Sequence, residues 1–224
     1  MTNIVKQTKY SLIMIGVTII TWGFALPFLP DHIPMQFTYS GEERWGTNKY
    51  LAGLFFVSLM LIVYLLGILK PKIDPERAAY SVFKNFYFIS IFLTEVLIYI
   101  VSVLLALNAM GYDINIQIII VCSIGFIFLF VGNYLPKIPT NWFVGIRNPW
   151  TITNDDVWIK IHRNTGKLYM IIGLVFLVMG MLNVINRPLI VITIIICVLY
   201  PHIHSFVMFR KNNNNADCKI KLDT

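Results

Sequence analysis

The chain has 224 residues, of which 57% are hydrophobic and only 13% charged, with a formal net charge of +7. Soluble domains carry about 25% charged residues, so a chain this rich in Ile, Leu, Val and Phe has too little polar surface to face water. The composition excludes a soluble enzyme, a disordered chain and a disulfide scaffold, and the mean hydropathy of +0.71 points to an integral membrane protein.

A bilayer core about 30 Å thick takes about 20 apolar residues of helix. Six stretches meet that length: Ser11–Leu29, Tyr50–Leu69, Phe86–Met110, Ile114–Leu135, Leu168–Ile185 and Pro188–Phe209. They are apolar on all faces, as expected where lipid and neighbouring helices both replace water. Backbone groups in lipid must be satisfied within the segment, which makes these stretches helices. Lys6 and Lys9 precede the first one, but prolines crowd its exit and no small-x-small cleavage site follows, so it reads as an uncleaved anchor. The expected fold is an all-α polytopic membrane protein of six transmembrane helices, with a short amphipathic interfacial helix in the fourth loop.

The first loop runs LPDHIPMQFTYSGEERWGTNKY from Leu29. Pro27, Pro30 and Pro34 end the first helix and stiffen its exit, while Gly41 and Gly46 permit turns. Trp45 and Tyr50 suit a membrane interface. Asp31, His32, Glu42 and Glu43 match no metal-ligand spacing and read more simply as solvated charges. One acidic residue, Glu95, lies about ten residues into the third span, roughly mid-bilayer at ~1.5 Å per residue. A charge there costs at least ~2.5 kcal/mol, so Glu95 faces the bundle or is protonated. Functional site and neutral, hydrogen-bonded bundle residue are both open for it.

The fourth loop runs LPKIPTNWFVGIRNPWTITNDDVWIKIHRNTGKL from Leu135. Thr153 or Asn154 is a good N-cap, and Asp155 and Asp156 suit a first helical turn. The spacing predicts a helix to about Thr165. Val157, Trp158, Ile161 and Thr165 share its apolar face, and Lys160, His162 and Arg163 point elsewhere. Trp142, Phe143, Trp150 and Trp158 would add an aromatic platform at headgroup depth. Arg147 and Arg163 can make forked contacts to carboxylate or phosphate. The segment is either a connector lying on the surface or a binding and gating surface.

Cys122 and Cys197 lie in apolar runs and read as small buried hydrophobes, Cys218 as an exposed tail thiol, and no pair has metal-ligand spacing. No cofactor signature is present. The loops expected on one side of the membrane carry 15 Lys and Arg, the other side only three (Arg44, Lys49 and Arg187). The positive-inside rule then puts both termini and the two basic loops in the cytoplasm of a bacterial cell. Scattered basic residues without a helix-turn-helix or zinc-finger pattern give no reason to expect direct nucleic-acid binding, while a basic inner face suits anionic lipid.

Two stretches carry a resemblance. Gly145-Ile-Arg147-Asn-Pro149-Trp150-Thr151, then Val157-Trp158 and His162-Arg163-x-x-Gly166, is similar to the signature of the SdpI immunity-protein family. The first loop resembles a small membrane domain of unknown function that often precedes that signature, matching it at Leu29, Pro30, Ile33, Pro34, Gly41, Trp45 and Lys49. There are two departures: Gln36 stands where that domain usually has His, and Asn148 where Thr is common. The resemblance implies protection against a secreted, membrane-damaging peptide toxin, and a cytoplasmic repressor held at the membrane. With the six-span layout it divides the chain into an N-terminal half (1–113) and an SdpI-like half (114–210), while the run Asn212 to Asn215 makes 211–224 read as a disordered cytoplasmic tail.

Leu29-Pro30-x-x-Ile33-Pro34 and Leu135-Pro136-x-Ile138-Pro139 also follow helices three spans apart, the spacing of an inverted repeat. That pattern and Glu95 suggest a small transporter or channel as the alternative. An intramembrane enzyme is least supported, since the sequence has no His-Glu-x-x-His, no pair of in-membrane Asp and no Gly-x-Ser-x-Gly elbow.

Overall fold

The computed structural model describes residues 2–38, 42–73, 77–142, 144–184 and 186–222, with side chains except at 2–7, 77–83, 187 and 213–222. Gly41 and Phe143 therefore lie outside the described residues, as does the Cys218 side chain. The helices are α1 (Thr2–Ala25), α2 (Lys49–Ile73), α3 (Arg77–Ala109), α4 (Ile116–Tyr134), α5 (Pro149–Ile152), α6 (Asp155–Met181) and α7 (Arg187–Leu222). All but the four-residue α5 are long and apolar enough to cross a membrane. The chain is an all-α multi-pass membrane protein.

The structure differs from the sequence reading in its loops. The first loop holds an antiparallel hairpin, β1 (His32–Phe37) and β2 (Glu43–Asn48), bulged on either side of Gln36. The expected short interfacial helix does not exist as a separate element, because Asp155 to Met181 is one continuous helix. Its break was expected at Gly166-Lys167, but Gly166 is a contact point inside the helix. The α7 backbone continues as helix beyond Phe209, through the asparagine run, to Leu222.

The chain gathers into two compact units, one of Met1–Ile73 with Lys84–Ser123, the other of Asp74–Phe83 with Ile124–Thr224. In the first unit α1 is polar on its inner side. Thr8, Ser11, Ile15, Thr18 and Trp22 are buried, whereas Leu12, Ile13, Val17, Ile19, Ile20 and Phe24 point outward. Water would favour the reverse; lipid does not, so hydroxyls serve as inter-helix glue. Thr18 donates to the Met60 sulfur at 3.3 Å, Trp22 Nε1 donates to Ser102 Oγ at 3.3 Å, and Thr21 pairs with Tyr99 at 3.2 Å.

Trp22 also stacks on Phe56, in a core shared with Leu29, Ile33, Ala52, Leu105 and Ile116. Ile33 is wholly buried and pins the hairpin to that core. Lys49 Nζ closes the base, 3.0 Å from the Leu29 carbonyl and 3.1 Å from Asp31. His32 and Glu43 pair across the strands. Pro30 and Trp45 are exposed, and Pro34 is half-buried.

In the second unit α4 and α6 touch at glycines. A Cβ on Gly132 would lie 2.7 Å from the Gly166 carbonyl oxygen, and one on Gly173 would lie 2.6 Å from that of Gly125. Side chains at these four positions would push the helices apart.

Both units contain the same repair of a proline inside a helix. Proline has no N–H, so the carbonyl four residues earlier loses its helical partner. Pro71 in α2 leaves Gly67, and the Tyr87 hydroxyl of α3 donates to that oxygen at 2.9 Å. Pro201 in α7 leaves Cys197, and the Tyr169 hydroxyl of α6 donates to it at 3.1 Å.

Candidate functional site

The signature residues converge where the segment between α4 and α6 folds back on the first turns of α6. Asn141 shapes the start of this segment. Its amide donates to the Pro139 and Val144 carbonyls at 2.8 and 2.9 Å, and its oxygen accepts from Val144 N at 2.7 Å. Both its amide hydrogens thus go to local backbone, as suits a side chain only 1% exposed.

Trp158 and His162 form the platform. They are one helical turn apart, both fully buried, with rings stacked 4.0 Å between centroids. Trp158 Nε1 donates to the Ile138 carbonyl at 2.8 Å. Ile146 N donates to His162 Nε2 at 3.0 Å. A backbone N–H can only donate, so Nε2 is unprotonated, and Nδ1 carries the hydrogen it gives to the Trp158 carbonyl at 2.8 Å. The imidazole is neutral in this arrangement. Gly145 lies directly over the pair, at φ +114°, and a Cβ there would lie 2.4 Å from His162 Nε2. Conformation and space both demand glycine.

Asn148 and Thr151 lock the next turn. Each side chain caps the other's backbone N–H, both at 3.0 Å, forming a capping box around α5 with Pro149 at its start. The Thr151 hydroxyl donates on to the Ile146 carbonyl at 2.9 Å. The Asn148 amide reaches α7, donating to Ser205 Oγ at 2.7 Å. Trp150 packs edge-on against Phe206, and the Arg210 guanidinium lies 5.7 Å from the centre of that same Phe206 ring. Gly166 gives α6 its close approach to Gly132 and Pro136.

The cations behave differently. Arg147 is exposed, and its guanidinium donates to the Trp142 carbonyl. Arg163 is exposed and has no hydrogen bond or ion pair among the described residues. Trp142, 48% exposed, keeps an outward face, whereas Trp158 is sealed inside the protein and His162 faces inward, both contrary to the sequence reading. The apolar arc of α6 is wider than the spacing suggested because the folded-back loop covers it. Asn141, Asn148 and Ser205 are structural members that sequence reasoning passed over. Asn148 had drawn notice only as a departure from the usual Thr, though either residue can cap a helix.

The outer-loop residues and Glu95 belong to the first unit. Ile33 and Lys49 hold the hairpin, and Glu95 is 0% exposed on α3.

The chain is thus of the class of six-span, all-α membrane proteins, and its turn-rich loop is clamped to the next span by a stacked Trp–His pair. Residues 137–205 match the SdpI/YfhL protein family. Over 175 residues, 78% of this chain and 82% of the relative, the sequence is 24% identical to Immunity protein SdpI of Bacillus subtilis (strain 168). No solved structure matches. The chain is thus similar to the SdpI-type family, by its family model over residues 137–205 and by one relative along most of its length.

Proposed function

We propose that this protein is a membrane immunity protein that protects its cell from a secreted, membrane-active peptide toxin. The likeness to an immunity protein along most of both chains carries the reading. In this reading the first-loop hairpin lies outside, where toxin arrives, and the Arg147–Arg163 loop lies in the cytoplasm with both termini. The distribution of Lys and Arg supports that orientation.

The signature separates into two groups with different work. Gly145, Asn148, Thr151, Trp158, His162 and Gly166 fold the loop, and their polar contacts are internal. Arg147 and Arg163 stay exposed at its surface. A guanidinium binds carboxylate or phosphate through paired donors, so this surface suits an acidic patch on a soluble partner such as a transcriptional repressor, or anionic lipid. Expression in a toxin-sensitive bacterium tests the proposal. Survival and sustained membrane potential on toxin challenge are expected; collapse equal to that of the empty host refutes it.

A further inference from the structure

We propose that Glu95 is a proton-binding site, loaded and unloaded through the hydroxyl-bearing buried face of α1. The proposal stands independently of the immunity reading.

The Glu95 carboxyl is wholly buried, and neither of its oxygens has a well-formed hydrogen bond. The Ser11 hydroxyl of α1 is the polar group that faces it. No cation offsets it: among the described residues the ion pairs are His32–Glu43 and Lys49–Asp31, both at the hairpin. The helices of this unit offer few other titratable groups. α1 carries Lys6, whose side chain lies outside the described residues, and Lys9 and Tyr10, both exposed. α2 has only Tyr64 between Tyr50 and Lys70, α3 has Lys84, Tyr87 and Tyr99, and the part of α4 in this unit has Cys122. An ionised carboxylate sealed from water, with no cation beside it and only one hydroxyl facing it without a well-formed hydrogen bond, is far costlier than the neutral acid. Glu95 therefore holds a proton in this conformation.

Two features separate a proton-exchanging site from an inert buried acid. A structural acid donates its O–H to a fixed acceptor, whereas here neither oxygen has such a partner. The route outward is also short. Ser11 lies three residues, ~4.5 Å along the axis, beyond Thr8, which follows the polar Lys6-Gln7 pair in the sequence of α1. Thr8 Oγ1 and the Tyr64 hydroxyl sit 3.3 Å apart at that level, and Lys9 is exposed beside them. Glu95 thus lies nearer to the start of α1 than its place in the third span suggests. Hydroxyls both donate and accept, so Ser11, Thr8 and Tyr64 can pass a proton without carrying net charge.

The test is infrared spectroscopy of the full-length protein in phosphatidylcholine vesicles. At neutral pH the wild type should show the C=O band of a protonated carboxylic acid, and Glu95→Gln should lack it. Glu95→Asp, which keeps an acid, should move the band if Glu95→Gln fails to fold. In D2O the wild-type band should shift within minutes, and Tyr64→Phe, which removes only a hydroxyl, should slow that shift several-fold. Absence of the band overturns proton binding. A band unshifted after hours in D2O overturns exchange, and an unaltered rate in Tyr64→Phe overturns the route.

Discussion

His162→Phe isolates one bond of the loop clamp. Phenylalanine keeps a flat ring over Trp158, so the stack at 4.0 Å survives, but the acceptor for Ile146 N–H is gone. The Trp158 carbonyl lies inside α6, so loss of the Nδ1 donor costs less. A net hydrogen bond contributes about 0.5–1.5 kcal/mol and an orphaned buried donor costs about 1–3. Ile146 is only half-buried, which places the expected loss at about 1–2 kcal/mol, or a factor of about 5–30 in the local opening equilibrium. Hydrogen exchange of the detergent-solubilised protein, read on peptides covering residues 144–151, should accelerate by that factor while α4 stays protected. His162→Gln, whose side-chain oxygen can accept, should recover part of the protection. If Ile146 exchanges at the same rate in His162→Phe and wild type, the imidazole does not clamp the loop and the derivation fails.

Further outcomes follow from other contacts. Gly166→Ala places a methyl 2.7 Å from the Gly132 carbonyl oxygen, and overpacking of this kind costs about 1–3 kcal/mol; a lowered melting temperature in detergent checks it. Tyr169→Phe should destabilise by about 1 kcal/mol, but much less in a Pro201→Ala background, where the restored backbone N–H would reclaim the Cys197 carbonyl; an additive double-mutant cycle would disprove the repair. Arg147→Lys keeps charge and loses the fork, so toxin protection should fall while membrane insertion stays normal; full protection would make the loop a connector only. Cysteines introduced at Glu42 and Thr153 should label from outside and only after permeabilisation, respectively, and labelling of Thr153→Cys by an impermeant reagent in intact cells would reverse the orientation.

The six spans were legible because a bilayer imposes a length and a hydropathy that few residues can disguise. The loops were less so. Pro34 and Gly46 read as breakers, yet both take part in the hairpin, where they face each other across the strands. Pairing of that kind depends on a partner strand that local pattern does not reveal. Gly166-Lys167 looked like a helix end because glycine weakens a helix in water, whereas here glycine is required by contact with α4. His162 was assigned to the polar side of its helix because spacing ranks residues by polarity, and its partner is a loop amide sixteen residues away. Gly145 and Thr151 were picked out by resemblance, and Trp158 by its place on the apolar face as well, but the reason for each, a positive φ, a capping box and a ring platform, emerged only with coordinates.

The two prolines inside helices bear on how the chain is made. Cys197 sits deep in its span, about nine residues, ~13.5 Å, past Pro188, where no water can satisfy its carbonyl. Its donor, Tyr169, is on the preceding helix, so it has already left the ribosome when α7 follows. Gly67 has the opposite order, since Tyr87 is synthesised after it. Gly67, however, lies three residues before Lys70 and six before the end of its span at Ile73, closer to the headgroups than Cys197 is. The deep defect is thus matched to a donor made earlier, and the shallow one to a donor made later. Each of the two helices thus depends on a tyrosine of another helix to satisfy one backbone carbonyl.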